Sequence, residues 1–232
     1  MSAQAALILA ALLFAALALA EVLRPDRAGQ YRRWPINIGL GLVGLLIVRV
    51  LAMVAPMGAA LWAQGHGIGV LNMAAVPAFV AGLITIVVMD FAIYWQHRAF
   101  HSIPWLWRWH KLHHRDEALD LSTGLRFHPA EAVLSMIWKS MCVVALGAPV
   151  WTVPLFELWL MVGSMIEHAN IRMPARVDAA ARRLMVTPAM HRVHHSAHSD
   201  DANHNFSFAI SAWDRLFGSY RQLPSGPRIG AA

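Results

Sequence analysis

The chain has 232 residues, enough for one domain or two small ones. Apolar residues make up 58% of it and charged residues only 14%, against about a quarter in soluble domains, and this imbalance favours a membrane protein. The net charge of +6 does not indicate a nucleic-acid-binding protein, because the basic residues lie in loops between apolar runs rather than on one polar face. The single cysteine, Cys142, excludes an internal disulfide.

Three apolar runs occupy the first part of the chain. Residues 3–20 carry no charge and, as a helix, would extend about 27 Å, close to the thickness of the bilayer hydrocarbon. We interpret this run as a retained span rather than a cleaved signal peptide, since no basic residue precedes it. The second run extends from Pro35 to about Pro56 and the third from about Met73 to Trp95. His66 stands alone in the loop between them, and we expect no role for it in a site.

The third run leads directly into a pair of histidines, His97 and His101. These two residues and two upstream polar residues, Asp90 and Tyr94, follow the spacing i, i+4, i+7, i+11, which forms one stripe on a helix. A carboxylate within a span costs roughly 2.5–3.5 kcal/mol, so Asp90 should have a partner on a ring N–H or a neighbouring helix. Asp90 and Tyr94 are thus candidates for supporting the histidines, although Tyr94 equally fits an interfacial aromatic belt.

Two further histidine groups share the spacing HxxHH. They lie about eighty residues apart: His110, His113 and His114 after Pro104, and then His191, His194 and His195. Because residues three and four apart lie on one helix face, each group is predicted to aim its imidazoles at a single point. Eight imidazoles in three clusters indicate a metal, since neutral imidazole suits Zn, Cu, Fe and Ni, and eight are too many for one ordinary ion.

A fourth apolar stretch, residues 132–167, is interrupted by LGAP at 146–149. Gly and Pro at its middle predict a helical hairpin that returns to the same side of the membrane. Each half is near the lower length limit for crossing, so a re-entrant hairpin also fits. Lys139 and Glu157 lie inside this hairpin, and the sequence assigns a partner to neither.

The basic residues predict the orientation of the chain. Segments 24–34, 96–131 and 168–232 hold seventeen of the nineteen lysines and arginines, and by the positive-inside rule all three face the cytoplasm. The sequence therefore predicts an all-α, polytopic membrane protein with about three spans plus a helical hairpin and a cytoplasmic, histidine-rich helical cap. In a bacterium this would be an integral protein of the inner (plasma) membrane.

The ligand types narrow the choice of metal site. A structural zinc ion closes with four ligands, and haem needs only two axial histidines. No ExxH motif of a di-iron carboxylate bundle occurs, and no HExxH of a zinc protease. Eight or more imidazoles instead fit two six-coordinate ions with positions left open for oxygen.

Six sequence blocks in order resemble the fatty acid hydroxylase/sterol desaturase superfamily of histidine-rich, membrane-bound di-iron oxygenases. They run DFAIYWQHRAFH, WRWHKLHH, RFHPAE, EHAN, PAMHRVHH and NFS…WDRLFGSY, over about residues 90–220. The resemblance implies two non-haem iron ions, the eight clustered histidines as ligands and His168 of EHAN as a ninth. It also implies a division into 1–72, N-terminal transmembrane spans and loop, and 73–232, the di-iron catalytic domain.

Several further residues are candidates for a supporting role or an extra ligand, and no catalytic residue is expected beyond the metal ligands. They are polar or aromatic and lie in or beside the matching blocks: Asp90, Tyr94, His128, Glu131, Asn170, His198 and His204. For WDRLFG (213–218), we expect Asp214 and Arg215 to tie the tail down while Trp213 and Phe217 pack on the membrane-facing floor.

The resemblance implies O2-dependent hydroxylation of a lipid C–H bond, the lipid being fatty acyl, sterol-like or another isoprenoid. Desaturation on the same site is the near alternative, because both reactions begin with the same hydrogen abstraction. A metal-binding membrane protein without oxygenase activity, such as a zinc carrier, and a haem or quinone electron-transfer protein are alternatives of other classes. The chain has no dinucleotide fingerprint and no CxxC, so we expect an external reductase with a ferredoxin- or cytochrome-type carrier.

Overall fold

The computed structural model describes residues 3–29, 31–51, 55–74 and 76–222. Five long helices make up its body: α1 (Ala3–Leu23), α2 (Trp34–Val50), α5 (Ala78–Ser102), α7 (Pro129–Leu146) and α8 (Thr152–His168). Seven shorter helices connect or cap them: α3 (Pro56–Gly65), α4 (Val70–Met73), α6 (Pro104–His114), α9 (Ala175–Ala181), α10 (Pro188–His194), α11 (Ser199–Ala202) and α12 (Ala212–Leu216). Two 3-10 helices, Tyr31–Arg33 and Leu121–Leu125, complete the described segments, in which no strand occurs.

Three helical segments are long and apolar enough to cross a membrane: Tyr31–Val50, Ala78–Ser102 and Pro129–Leu146. A shorter apolar helix, Ile8–Leu23, packs beside α8. The predicted all-α, polytopic architecture is therefore confirmed. The third span begins at Ala78 rather than Met73, because Val70–Met73 forms a separate turn and Pro77 caps the span.

Helices α7 and α8 form the predicted hairpin around Gly147. Gly147 adopts a left-handed conformation (φ +69°) that ends α7, and α8 returns antiparallel to it. The main core lies between α5 and this hairpin, where Met89 and Ile93 pack against Val143 and Phe156. Lys139 of α7 and Glu157 of α8, which had no partner in the sequence, form an ion pair with each other.

The loop that carries His66 lies at the far end of the hairpin from the histidine-rich segments. A Cβ atom added to Gly69 in this loop would lie 2.2 Å from the backbone nitrogen of Gly147, so the loop touches the tip of the hairpin. The eighteen residues of α7 extend about 27 Å from that tip to the end where His128 and Glu131 lie. This length approaches the thickness of the hydrocarbon layer, so the two ends of α7 can reach opposite membrane surfaces.

The N-terminal helices are attached to the histidine-rich end by polar contacts. Glu21 at the end of α1 accepts hydrogen bonds from the backbone nitrogens of Leu121 (2.8 Å) and Asn170 (2.6 Å). Asn37 of α2 donates to Asp116 (3.0 Å). These contacts bind segment 1–72 tightly to segment 73–232.

Candidate metal centre

Four elements bring nine histidines together at one end of the bundle. Helix α5 continues without a break past its apolar part to present His97 and His101. Ile103, in extended conformation before Pro104, ends α5 and turns the chain into α6. Helix α10 carries the third group, and α8 ends at His168.

The nine imidazoles form two sets, and ligand atoms within each set lie within 4.8 Å of one another. We call them cluster A, comprising His97, His101, His110, His114 and His194, and cluster B, comprising His113, His168, His191 and His195. The rings of His114 and His195 stack at 4.3 Å between centroids, so the two clusters are neighbours. The nine predicted ligands therefore converge on one paired site.

The expectation that each HxxHH group aims at a single point was wrong. His110 and His114 join cluster A while His113 joins cluster B, and α10 divides its three histidines in the same way. Residues four apart are rotated by only about 40° around a helix, whereas adjacent residues are rotated by about 100°. The pairs at i and i+4 therefore share a cluster, and the remaining histidine of each group points to the other.

The inner ring nitrogens of cluster A are the ones that a metal would use. All five Nε2 atoms are buried and have no hydrogen-bond partner among the described residues. Buried polar atoms without partners are costly, so a set of five that converge calls for a ligand. Neutral imidazole nitrogens are suitable donors for a transition metal.

The Nε2 atoms of cluster B lie as close as ligands of one ion. That of His168 is 3.2 Å from that of His113 and 3.0 Å from that of His191, which in turn lies 3.1 Å from that of His195. Nitrogens bound at about 2.0–2.1 Å to one ion are about 3.0 Å apart when their bonds meet at right angles. The residues of both clusters thus fit a pair of metal ions.

Acceptors on the outer ring nitrogens fix several of these rings. The Nδ1 of His97 lies 2.9 Å from the carbonyl oxygen of Phe206, and that of His194 lies 2.8 Å from the carbonyl oxygen of His204. The Nδ1 of His110 lies 2.7 Å from a carboxylate oxygen of Glu131. If Nδ1 carries the proton, each Nε2 keeps its lone pair for a metal, as is usual for ligating histidines.

Burial keeps five of the clustered histidines neutral. The pKa of His194 is lowered to about 3, mainly by desolvation. Desolvation and the neighbouring imidazoles lower the pKa values of four others well below the ordinary value: His113, His114, His191 and His195. At neutral pH these rings are therefore in the form that binds metals.

Glu167 is a buried residue of the site that sequence reasoning missed. Its carboxylate oxygens lie 3.6 Å from the Nδ1 atoms of His168 and His191, both of cluster B. Neither oxygen has a hydrogen-bond partner among the described residues. The adjacent position before His168 in EHAN was the only signal for Glu167, and adjacency on a helix does not ordinarily place two side chains on one face.

Asp90 and Tyr94 lie on the same helix as His97 and His101 and form hydrogen bonds to the tail of the chain. Asp90 accepts hydrogen bonds from the indole nitrogens of Trp159 and Trp213, both at 2.8 Å. The Tyr94 hydroxyl lies 2.9 Å from the Oγ of Ser219. The partners of Asp90 are thus indole N–H groups on a neighbouring helix and on the tail, not the imidazoles of the histidines.

Asp214 of WDRLFG ties down the tail, as expected. Its carboxylate accepts from the backbone nitrogens of Phe206 (2.7 Å) and Ser207 (3.0 Å), next to the carbonyl that faces His97. Phe217 stacks on Tyr94, with 5.6 Å between ring centroids.

The other candidate residues lie outside both clusters. His128 caps α7 through its Nδ1, which accepts from the backbone nitrogen of Ala130 at 3.0 Å. Asn170 binds the backbone of Arg27. His198 is exposed, and His204 contacts the site through its carbonyl oxygen while its ring bonds to the carbonyl of Asp200. His66 is exposed beside Trp62 in the distant loop.

The fold and the site together define a helical membrane protein with a buried, paired polyhistidine centre suited to metal. Residues 82–219 match the family model described as fatty acid hydroxylase, which is more than half of the chain. The chain therefore belongs to the fatty acid hydroxylase family, and the predicted resemblance is confirmed. No solved structure matches it.

Several curated proteins are similar to this part of the chain. Human alkylglycerol monooxygenase is 30% identical over 57% of the chain and 28% of its own length. Ornithine lipid hydroxylase OlsE of Rhizobium tropici is 30% identical over 61% of the chain and 42% of its own length. Mouse cholesterol 25-hydroxylase is 26% identical over 61% of the chain and 47% of its own length. The chain thus matches less than half the length of each.

Proposed function

We propose that this protein is a membrane-bound di-iron oxygenase that hydroxylates a C–H bond of a lipid with O2. The observation that carries the proposal is the pair of adjacent, all-histidine clusters with converging Nε2 atoms. The names of the three relatives are those of lipid hydroxylases or monooxygenases, which favours hydroxylation over desaturation. The apolar helices beneath the site make the bilayer the natural source of substrate.

In this proposal the nine clustered histidines hold two non-haem iron ions, and segment 73–232 is the catalytic domain. Bound ferrous iron would supply the reduction of O2 and the removal of a hydrogen atom from an unactivated C–H bond. The chain itself contributes neutral ligands, the acceptors that orient them and a buried, water-poor environment. One oxygen atom enters the lipid as a hydroxyl, and the other leaves as water with two electrons and two protons.

The electrons come from outside the chain, by way of a reductase and a ferredoxin- or cytochrome-type carrier. The sequence carries neither a dinucleotide fingerprint nor a CxxC pair. The basic cap is proposed to face the cytoplasm, where such carriers are found, and its positive charge suits an acidic partner.

The test is to incubate iron-loaded protein in membranes with a donor system under ¹⁸O₂. We expect two iron ions per chain by elemental analysis, no haem absorption band and label in a new lipid hydroxyl. A new double bond without label would show that the reaction is desaturation and not hydroxylation. A single zinc ion per chain, or lipid turnover that continues unchanged without oxygen, would overturn the proposal.

A further inference from the structure

A cavity of about 250 Å³ lies between α1, the 3-10 helix Leu121–Leu125 and the α7–α8 hairpin. Its wall is apolar, with contributions from Phe14, Leu160 and Met161, except for three polar side chains. These are Lys139, Glu157 and Ser164. Its size is slightly below the range of about 300–1,000 Å³ typical of small-molecule sites, so it suits one narrow aliphatic body rather than two acyl chains.

One end of this cavity touches cluster B. Phe127 lines the cavity and stacks on His113, with 4.5 Å between ring centroids and 10° between planes. Ser164 lines it too, and its Oγ lies 3.4 Å from the Nδ1 of His168. A chain in the cavity would therefore end against the outer side of cluster B, next to His113 and His168.

The other end of the cavity holds the ion pair. The Nζ of Lys139 lies 2.6 Å and 2.8 Å from the two carboxylate oxygens of Glu157. Glu157, Ser164 and His168 follow the spacing i, i+7, i+11, so they lie on one face of α8. Eleven residues separate the ion pair from cluster B by about 16 Å along the helix.

Lys139 lies near the middle of α7. Charged groups near the middle of a membrane helix are rare and commonly mark a functional site. The Lys139–Glu157 pair is not sealed between helices, since the side chain of Glu157 is 43% exposed. Each carboxylate oxygen can accept hydrogen bonds in more than one direction, so Glu157 can receive a further donor beside the ammonium. The only other polar side chain on the wall is that of Ser164, which lies at the cluster B end, so the ion pair is the polar partner at the far end.

We propose that this cavity binds the substrate as a single-chain, uncharged lipid whose hydroxyl is held by the Lys139–Glu157 pair. The pair is neutral as a whole, and an ionised head group would add an uncompensated charge in a low-dielectric region. A hydroxyl adds one donor and one acceptor without changing the charge. This proposal rests on the proposed function. The oxidised carbon then lies at the end of the lipid remote from that hydroxyl, about 16 Å away.

The test measures binding, which does not depend on turnover. Full-length protein in detergent is titrated with radiolabelled 1-tetradecanol, and the methyl ether of the same chain and tetradecanoate compete. We expect roughly tenfold weaker binding of the ether and of the carboxylate, the effect of losing one hydrogen bond to a charged group. Equal affinity for all three, or preference for the carboxylate, would overturn the inference.

Variants separate recognition from folding. The double variant Lys139→Met with Glu157→Met, which removes both polar groups, is expected to bind the ether as before but to lose the preference for the alcohol. Exchange of the two residues, Lys139→Glu with Glu157→Lys, restores a neutral pair and is expected to recover the preference. An exchanged protein that elutes as a single species without that preference would contradict the inference. Arg182→Met with Asp178→Asn removes an ion pair whose residues do not line the cavity and serves as the matched control.

The two proposals can fail separately. If a lipid gains label from ¹⁸O₂ but the protein shows no preference for the alcohol, the oxygenase proposal stands and the proposed substrate class is wrong. If the protein prefers the alcohol but oxidises no lipid, the substrate class stands and the oxygenase proposal is wrong.

Discussion

At the scale of single residues, two acidic side chains lie near the outer ring nitrogens of the histidines, one at each cluster. Glu131 contacts the Nδ1 of His110 in cluster A, and Glu167 lies between the Nδ1 atoms of His168 and His191 in cluster B. A carboxylate hydrogen-bonded to a ligating imidazole orients the ring and raises its basicity, which applies to Glu131 and His110. Glu167 lies 3.6 Å from its two histidines, and the Nδ1 of His168 lies 2.8 Å from the carbonyl oxygen of Ser164. Backbone carbonyls perform the orienting role for His97 and His194.

Replacement of His110, His114 or His194 with Ala is expected to lower metal content and abolish activity, because each removes an inward Nε2 from cluster A. The measurements are elemental analysis of the purified protein and the ¹⁸O assay. His66→Ala is the control, since its ring lies in the exposed loop at the far end of α7. Equal damage from His66→Ala and His194→Ala would show that the assignment of the site is wrong.

Glu131→Ala and Glu167→Gln are expected to weaken different sites. Loss of a supporting carboxylate typically lowers metal affinity by about 10–100-fold. Iron titration should therefore show one weakened site of two in each variant, cluster A for Glu131→Ala and cluster B for Glu167→Gln. If the double variant affected only one of the two sites, the separate roles of the carboxylates would be refuted.

At the scale of elements, the HxxHH pattern allows one short helix to serve two ions. Because i and i+4 are close in angle and the third histidine points aside, α6 and α10 each contribute to both clusters. Together, α6 and α10 hold the clusters side by side, which a single straight stripe of histidines would not do. The hairpin turn at Gly147 sets where α8 delivers His168 and Glu167.

The contact between Gly69 and the hairpin tip leads to a stability prediction. Gly69 has φ +102°, and a Cβ there would lie 2.2 Å from the Gly147 nitrogen, so Gly69→Ala adds both backbone strain and overlap. We expect a loss of about 1–3 kcal/mol, measured as a lower unfolding temperature in detergent. Gly39→Ala in α2 is the matched control, because nothing lies within 4 Å of its added Cβ. A Gly69→Ala protein as stable as the Gly39→Ala protein would contradict the close packing of loop and hairpin.

At the scale of the whole molecule, the cap and the loop containing His66 lie about one hydrocarbon thickness apart along α7. The concentration of arginines and lysines in the three cap segments predicts that the cap faces the cytoplasm.

Cysteine labelling tests this orientation. In a background with Cys142→Ala, we expect His66→Cys to react with a membrane-impermeant maleimide added outside intact cells. His198→Cys, in the exposed part of the cap, should react only after the cells are opened. The opposite pattern would reverse the orientation and place the proposed electron donor on the other side.

The sequence alone determined the class of fold and the members of the site. Long uncharged runs can satisfy their backbone groups in lipid only as helices or closed barrels, and their lengths indicated helices. Eight of the nine clustered histidines were predicted from their type and spacing, and the ninth, His168, was predicted only from the family resemblance of EHAN. These features are local, and the periodicity of a helix is enough to interpret them.

Tertiary structure alone decided which histidines of different helices share a cluster and what supports them. Helix periodicity separates His113 from His110 and His114, but its pairing with His168 depends on how α6, α8 and α10 pack, which no local pattern encodes. Packing brings Asp90 to Trp213, Lys139 to Glu157 and Glu167 to His191, which are all distant from one another in the sequence. The cavity beside cluster B likewise exists only where α1, the hairpin and Leu121–Leu125 meet, because a void belongs to the assembled elements and to no single segment.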